Sequence, residues 1–234
     1  MLVVPTPYAP GHRFRLSDAR LTAMAAWKSL VGVIILAGGA SRRMGRNKLL
    51  LQRDGVPLIG IVVGGVHRQL LDRASSVPTI VVGPQPTEST IPPDGFEVVF
   101  TREEPPGGGP LAALAAGIAG IGESPGADSV VIVLAGDAPH GPDAMNLLLD
   151  TLTAIGTDHD AALLTDAQGR LQPLCAAYRL QPLRQALDAL GETFGRRMDD
   201  LLEQLAIAGV PDTIDAALDI DTPDDAVRLG FTGE

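Results

Sequence analysis

The chain has 234 residues, 45% of them hydrophobic but only 3% aromatic, so it can bury one sizeable core made of Ala, Val, Leu and Ile rather than of rings. A net charge of −10 argues against nucleic acid or an anionic membrane surface as the main partner, and no apolar stretch attains the roughly 18–20 residues of a membrane span. The single cysteine, Cys175, excludes an intramolecular disulfide and fits a reducing compartment, which makes the cytoplasm the expected location.

Residues 1–28 carry Pro5, Pro7 and Pro10, then Arg13, Arg15 and Arg20, without the apolar run of a signal sequence. They read as a poorly ordered extension or a start-site artefact, with a single domain over 29–234; a targeting role is the alternative. Short runs rich in Val, Ile and Leu then recur: VGVIIL (31–36), TIVVG (79–83), FEVVF (96–100), SVVIVL (129–134) and AALLT (161–165). Runs that are apolar on both faces suit a sheet covered by helices on both sides. Helices are predicted between and after them, over 57–75, 110–121, 142–155, 183–190 and 196–205, with Pro110 and Pro142 at helix starts. The alternation predicts a three-layer α/β/α fold with a mainly parallel, Rossmann-like sheet. Ligands of such sheets bind beyond the carboxyl ends of the strands, where the strand order reverses.

Three segments end a strand with unusual chemistry. In LAGGASRRMGRNKLLL (36–51), Gly38 and Gly39 allow a sharp turn and close approach of backbone N–H groups to a ligand. Arg42, Arg43, Arg46 and Lys48 follow, a local positive cluster suited to a polyphosphate. The spacing is neither a P-loop, because Gly45 is followed by Arg46, nor the G-x-G-x-x-G fingerprint. A solvated basic loop, with Met44 and Leu49 to Leu51 packing inward, is the plainer reading of the same residues. VVIVLAGDAPHG (130–141) sets Asp137 just after an apolar strand, where an Asx turn would be a purely structural role; His140 has no partner at a metal-ligand spacing. In LDIDTPDD (218–225), Thr222 can cap a helix with Pro223 at its first position and Asp225 at its third. Cys175 reads as a small buried hydrophobe.

The first segment resembles the signature L-A-[GA]-G-x-[SA]-x-R-M-G-x-x-K of the molybdenum cofactor guanylyltransferase family, within the wider nucleotidyltransferases. Leu36, Ala37, Gly38, Gly39, Arg43, Met44, Gly45 and Lys48 all fall on it. PPGGGPLAALAAGI (105–118) is similar to the family's G-P-L-A-G element, with Ala113 in place of the second glycine, and Glu103 stands in for the acidic residue associated with guanine. Pro173, Leu174, Ala176, Tyr178 and Arg179 match the P-L-x-A-x-Y-R strand, where the pterin partner is expected. The charges of RRMDDLL (196–202) either face the same cleft or form a solvated face.

The resemblance implies that Leu36, Ala37, Gly38 and Gly39 hold the nucleotide through their backbone, while Lys48 and Arg43 grip its phosphates. It implies that Asp137 holds Mg²⁺, with Asp221 as a second metal contact. Lys48, Arg43 and Asp137 form the expected catalytic set, and Glu103 joins the nucleotide-binding one. The implied reaction is transfer of GMP from GTP to the terminal phosphate of molybdopterin, releasing pyrophosphate. Transient contact with molybdoenzymes or cofactor-maturation proteins is a further partner expectation. The DIDTPDD ending and the KLLL run are commoner in related cytidylyltransferases, so CTP stays open as donor. A sugar phosphate or phospholactate as acceptor stays open too, as does a non-catalytic nucleotide-binding module.

Overall fold

The computed structural model of the chain describes residues 26–38, 47–73, 77–83, 97–122 and 126–232. Gly39 and Arg43, together with Arg42 and Arg46, lie outside them, as do residues 1–25. Strand β1 (Leu30–Leu36) leads through a short 3₁₀ turn (Lys48–Leu50) to a two-residue hairpin, β2 (Gln52–Arg53) and β3 (Val56–Pro57). Helix α1 (Leu58–Asp72), β4 (Thr79–Val82), β5 (Val98–Thr101), α2 (Pro110–Gly120) and β6 (Val130–Ala135) follow. The remainder comprises α3 (Met145–Ala154), β7 (Ala161–Thr165), β8 (Leu171–Arg179), α4 (Leu180–Leu190), α5 (Met198–Leu202), β9 (Ile207–Pro211) and α6 (Pro223–Arg228).

Side-chain parity builds the layers. Along β1, Val33 and Ile35 enter a cluster with α1 and α3, while Ile34 and Leu36 enter a second cluster with α2 and α4. β6 divides likewise, Ile132 and Leu134 to one side, Val131 and Val133 to the other. Both faces are apolar because both are covered. The first cluster reaches back to Ala26 and Trp27, both buried, so two residues read from sequence as extension are packed into the core. The Trp27 indole donates to the Asn146 side-chain oxygen at 3.0 Å, and the Arg73 guanidinium lies 5.7 Å from its ring.

The seven-stranded sheet has the order β5-β4-β1-β6-β8-β7-β9. β8 runs antiparallel to β6 and β7, and every other pairing in this sheet is parallel, as the mainly parallel expectation requires. Successive strands run outward from β1 to β5 on one side, and the chain then returns to place β6 on the other. The carboxyl ends of β1 and β6 therefore flank the reversal point. Their turns almost touch. Gly136 donates its N–H to Leu36 O at 2.9 Å, and a Cβ on Gly136 would meet that oxygen at 3.0 Å and Ala37 Cα at 3.2 Å.

β8 carries an irregularity that sequence reasoning did not foresee. Opposite the adjacent Leu163 and Leu164 of β7 stand Ala176 and Gln172, so Pro173, Leu174 and Cys175 bulge from that ladder. Pro173 cannot donate a ladder hydrogen bond, which accounts for the break. The buried Tyr178 hydroxyl braces it by donating to Pro173 O at 2.9 Å.

A third, small cluster docks the C-terminal segment: Leu51, Leu58, Ile220, Ala226 and Phe231. Gln52 and Thr232 exchange backbone hydrogen bonds of 2.8 Å in both directions. Phe231→Ala should cost about 3–5 kcal/mol, as large-to-small changes in cores do, and lower the urea midpoint in proportion. An unchanged midpoint would mean that this cluster does not anchor the segment.

Candidate functional site

Three distant parts of the chain meet where β1 and β6 end. Lys48 starts the 3₁₀ turn, whose entry is fixed by Asn47: its side-chain oxygen accepts from Leu49 N at 3.1 Å. Asp137 lies two residues past the end of β6, and its carbonyl accepts from Ile220 N at 3.1 Å. That bond fixes the DID segment of residues 219–221 beside it. The predicted capping box is present: the Thr222 hydroxyl accepts from Asp225 N at 3.2 Å, and Thr222 N donates to Asp225 Oδ2 at 2.9 Å. Asp221 N also reaches that carboxylate, at 3.3 Å. The Asp221 side chain is thereby presented just ahead of α6, as the sequence predicted.

Lys48 Nζ stands 2.5 Å from Asp137 Oδ2 and 2.9 Å from Asp221 Oδ1. The Lys48 side chain is 13% exposed and that of Asp137 20%, so water screens this pair far less than a surface ion pair. Burial alone would lower the Lys48 pKa, but attraction to Asp137 and Asp221 outweighs it and raises the value above the ordinary 10.5. Lys48 is charged throughout the neutral range. Expected from sequence to meet phosphates, it is here also paired with both carboxylates assigned to metal.

A third carboxylate, Asp219, joins them and was not singled out from sequence. Oxygens of Asp137, Asp219 and Asp221 lie within 4.8 Å of one another. Burial pushes the Asp219 carboxyl up, the negative Asp221 and Asp137 add to that push, and Lys48 opposes it. The signal was the period of two in DID: in extended backbone, residues i and i+2 share a face. Hard oxygen donors crowded to this degree suit Mg²⁺, which takes one or two carboxylates and leaves the rest of its shell to phosphates and water.

The other expected nucleotide residues are placed unevenly. Ala37 N donates to Val82 O at 2.7 Å, and Leu36 O is taken by Gly136, so both are committed to the strand-end framework. Gly38 contrasts with Gly136: among the described residues, its chain neighbours aside, no atom lies within 4 Å of where its Cβ would stand. Glu103 braces the loop before α2, accepting from Gly107 N at 3.0 Å, while its second oxygen is buried with no hydrogen-bond partner among the described residues. Gly109 begins α2 at φ 89°, a conformation that L-residues avoid, so the PPGGGP run has a backbone reason.

A cavity of about 290 Å³ opens beside Asp137 and Asp219, walled by Pro110, the Pro173–Cys175 bulge and Met198. The bulge thus shapes one side of the pocket. The matched strand is split by its direction: Pro173 and Leu174 reach the cavity, whereas Arg179 lies opposite Val130, at the other end of β6. There the Arg179 guanidinium donates to the carbonyls of Leu152 at 3.1 Å and Gly156 at 2.6 Å and holds the end of α3. Of the RRMDDLL segment only Met198 lines the pocket. Arg196 pairs with Asp200 at 3.8 Å and Arg197 with Asp199, as a solvated face. Cys175 is 2% exposed, its thiol pushed up to about 12 by burial and then by the charge of Asp212, which makes it inert. The His140 ring stands 3.5 Å from the Asp143 carboxylate, a contact within its own turn.

Known proteins agree with this architecture. The family described as MobA-like NTP transferase domain matches residues 33–208. A molybdenum cofactor guanylyltransferase from Rhodobacter capsulatus is 30% identical over 198 residues, spanning 83% of this chain and 92% of that protein. The solved molybdopterin-guanine dinucleotide biosynthesis protein A from Archaeoglobus fulgidus superposes with a TM-score of 0.59 at 21% identity, over 86% of this chain and 97% of that one, a likeness of fold. With Lys48 of the signature, the strand-end Asp137 and the family match all in one frame, the chain belongs to the MobA-like NTP transferases, nucleotidyltransferase enzymes that include the molybdenum cofactor guanylyltransferases.

Proposed function

We propose that the chain transfers GMP from GTP to the terminal phosphate of molybdopterin and releases pyrophosphate. The observation that carries the reading is the meeting of Lys48, Asp137 and Asp221 at the strand-order reversal, next to a cavity walled by the Pro173–Cys175 bulge. The relatives' designation as guanylyltransferases favours GTP over CTP. An oxygen of the acceptor phosphate attacks the α-phosphorus, that P–O bond forms, and the bond to the β-phosphate oxygen breaks. The attacking group is already anionic near neutral pH, so no protein base is needed, and rate comes from alignment and charge neutralisation.

Within this reading the Gly38 backbone approaches the nucleotide, and the Lys48 ammonium meets phosphate charge. Arg43 is assigned to the same phosphates on the signature alone. Asp137 and Asp221, with Asp219 beside them, would hold Mg²⁺. When bound, the ion supplies neutralisation of charge on the phosphate oxygens. The Glu103 oxygen that has no partner among the described residues is an acceptor of the kind that guanine N–H groups satisfy. The acceptor occupies the Met198 cavity, where the N-terminus of α2 favours a negative group.

A melting-temperature panel with GTP, CTP, UTP and ATP, each with Mg²⁺, tests the donor. A nucleotide at about 100 times its Kd should add about 2.7 kcal/mol of apparent stability. GTP should give the largest shift, and pyrophosphate should appear only when molybdopterin is added. A larger shift with CTP would reassign the donor, and no pyrophosphate with either would overturn the reaction.

A further inference from the structure

The carboxylates at the strand ends already hold a cation. Lys48 Nζ bridges Asp137 and Asp221 at 2.5 and 2.9 Å, and both carboxylates belong to the group of three that bring oxygens within 4.8 Å of one another. An ammonium and a divalent ion cannot both sit against the same two oxygens, because two cations at contact distance repel and compete for the same lone pairs. Among the described residues, three carboxylates and one ammonium leave a formal charge of −2, whereas the carboxylates alone carry −3. The residue type matters as well. A lysine ammonium is a point charge on a rotatable four-carbon stem and can pass between anionic partners, which the rigid fork of arginine does less readily.

We infer that Lys48 is the resident counter-ion of this carboxylate group, competing with a divalent cation for Asp137 and Asp221, and that nucleotide phosphates relieve the competition by drawing the ammonium to themselves. This rests on the metal and nucleotide reading of the same site. Lys48 then has two successive partners. Before substrate arrives it bridges Asp137 and Asp221 beside Asp219; afterwards it faces phosphate, and the carboxylates it leaves would hold the ion. The metal is thereby admitted at full affinity only together with the nucleotide, and the site is kept from taking up divalent ions when no phosphate is present.

The test is Mn²⁺ binding to the nucleotide-free full chain, read from the electron paramagnetic resonance signal of unbound Mn²⁺. Lys48→Met should bind Mn²⁺ about tenfold or more tightly than the wild type, a gain of ~1.4 kcal/mol. Lys48→Arg, which keeps the charge, should stay at the weak wild-type affinity. Lys48→Gln, able to hydrogen-bond the carboxylates, substitutes for the methionine variant if that fails to fold by circular dichroism. Equal or weaker binding by the neutral variants overturns the competition and leaves the metal reading standing. If adding Asp137→Asn and Asp221→Asn to Lys48→Met does not weaken Mn²⁺ binding, the metal lies elsewhere and both readings fall.

Discussion

Asp137→Asn is expected to slow pyrophosphate release by about 10²–10³-fold and to remove its dependence on Mg²⁺ concentration. The substitution preserves shape and leaves the Asp137 carbonyl, which accepts from Ile220 N, in place. The DID segment should therefore stay docked. What is lost is one negative charge at the strand-order reversal. Two effects on stability oppose each other: Lys48 loses one of its carboxylate partners, while Asp219 is relieved of a repelling neighbour. The melting temperature should therefore move little while turnover collapses, the signature of a residue that acts on the reacting groups. Turnover near the wild-type rate with an unaltered Mg²⁺ response would place the metal on other residues.

The second large effect is expected at Lys48. Lys48→Ala should lower turnover by about 10²-fold or more, since on the proposed reading it removes the ammonium assigned to developing phosphate charge. The same change should improve divalent-ion binding in the absence of nucleotide, so the two readouts move in opposite directions. A residue needed only for packing would not do this. Lys48 keeps its charge well above neutrality: its pKa is raised, so the stabilisation it gives is complete below the ordinary 10.5 and is lost only as pH climbs past the folded value. Any fall in wild-type activity between about pH 6 and 9 must then come from another group. Unchanged turnover in Lys48→Ala would remove Lys48 from the mechanism.

Much of this was legible in the residues. The apolar runs announced a covered sheet because both faces of β1 and β6 had to be hydrophobic, and TPDD announced its own helix because the capping box is a local device. Boundaries shifted where the chain could exploit the first turn: α4 begins at Leu180 rather than 183, since Pro182 stands in the first turn, where its missing N–H costs nothing. The antiparallel course of β8 was not legible, because direction is set by which neighbours a strand finds. That course decided which of Pro173 and Arg179 faces the cavity. β9 escaped notice because IAGVP is short and interrupted by glycine. The pairing of Lys48 with two carboxylates escaped because a separation of 173 residues, as between Lys48 and Asp221, leaves no local pattern.

That separation bears on how the protein is made. When a ribosome has added the residues through the turn after β6, Lys48 and Asp137 exist but Asp219, Asp221 and the Phe231 anchor do not. The sheet can start to fold while the proposed site is still incomplete. A nascent or prematurely ended chain would thus carry the nucleotide signature yet stay chemically silent, and competence would arrive in one step as the final helix docks.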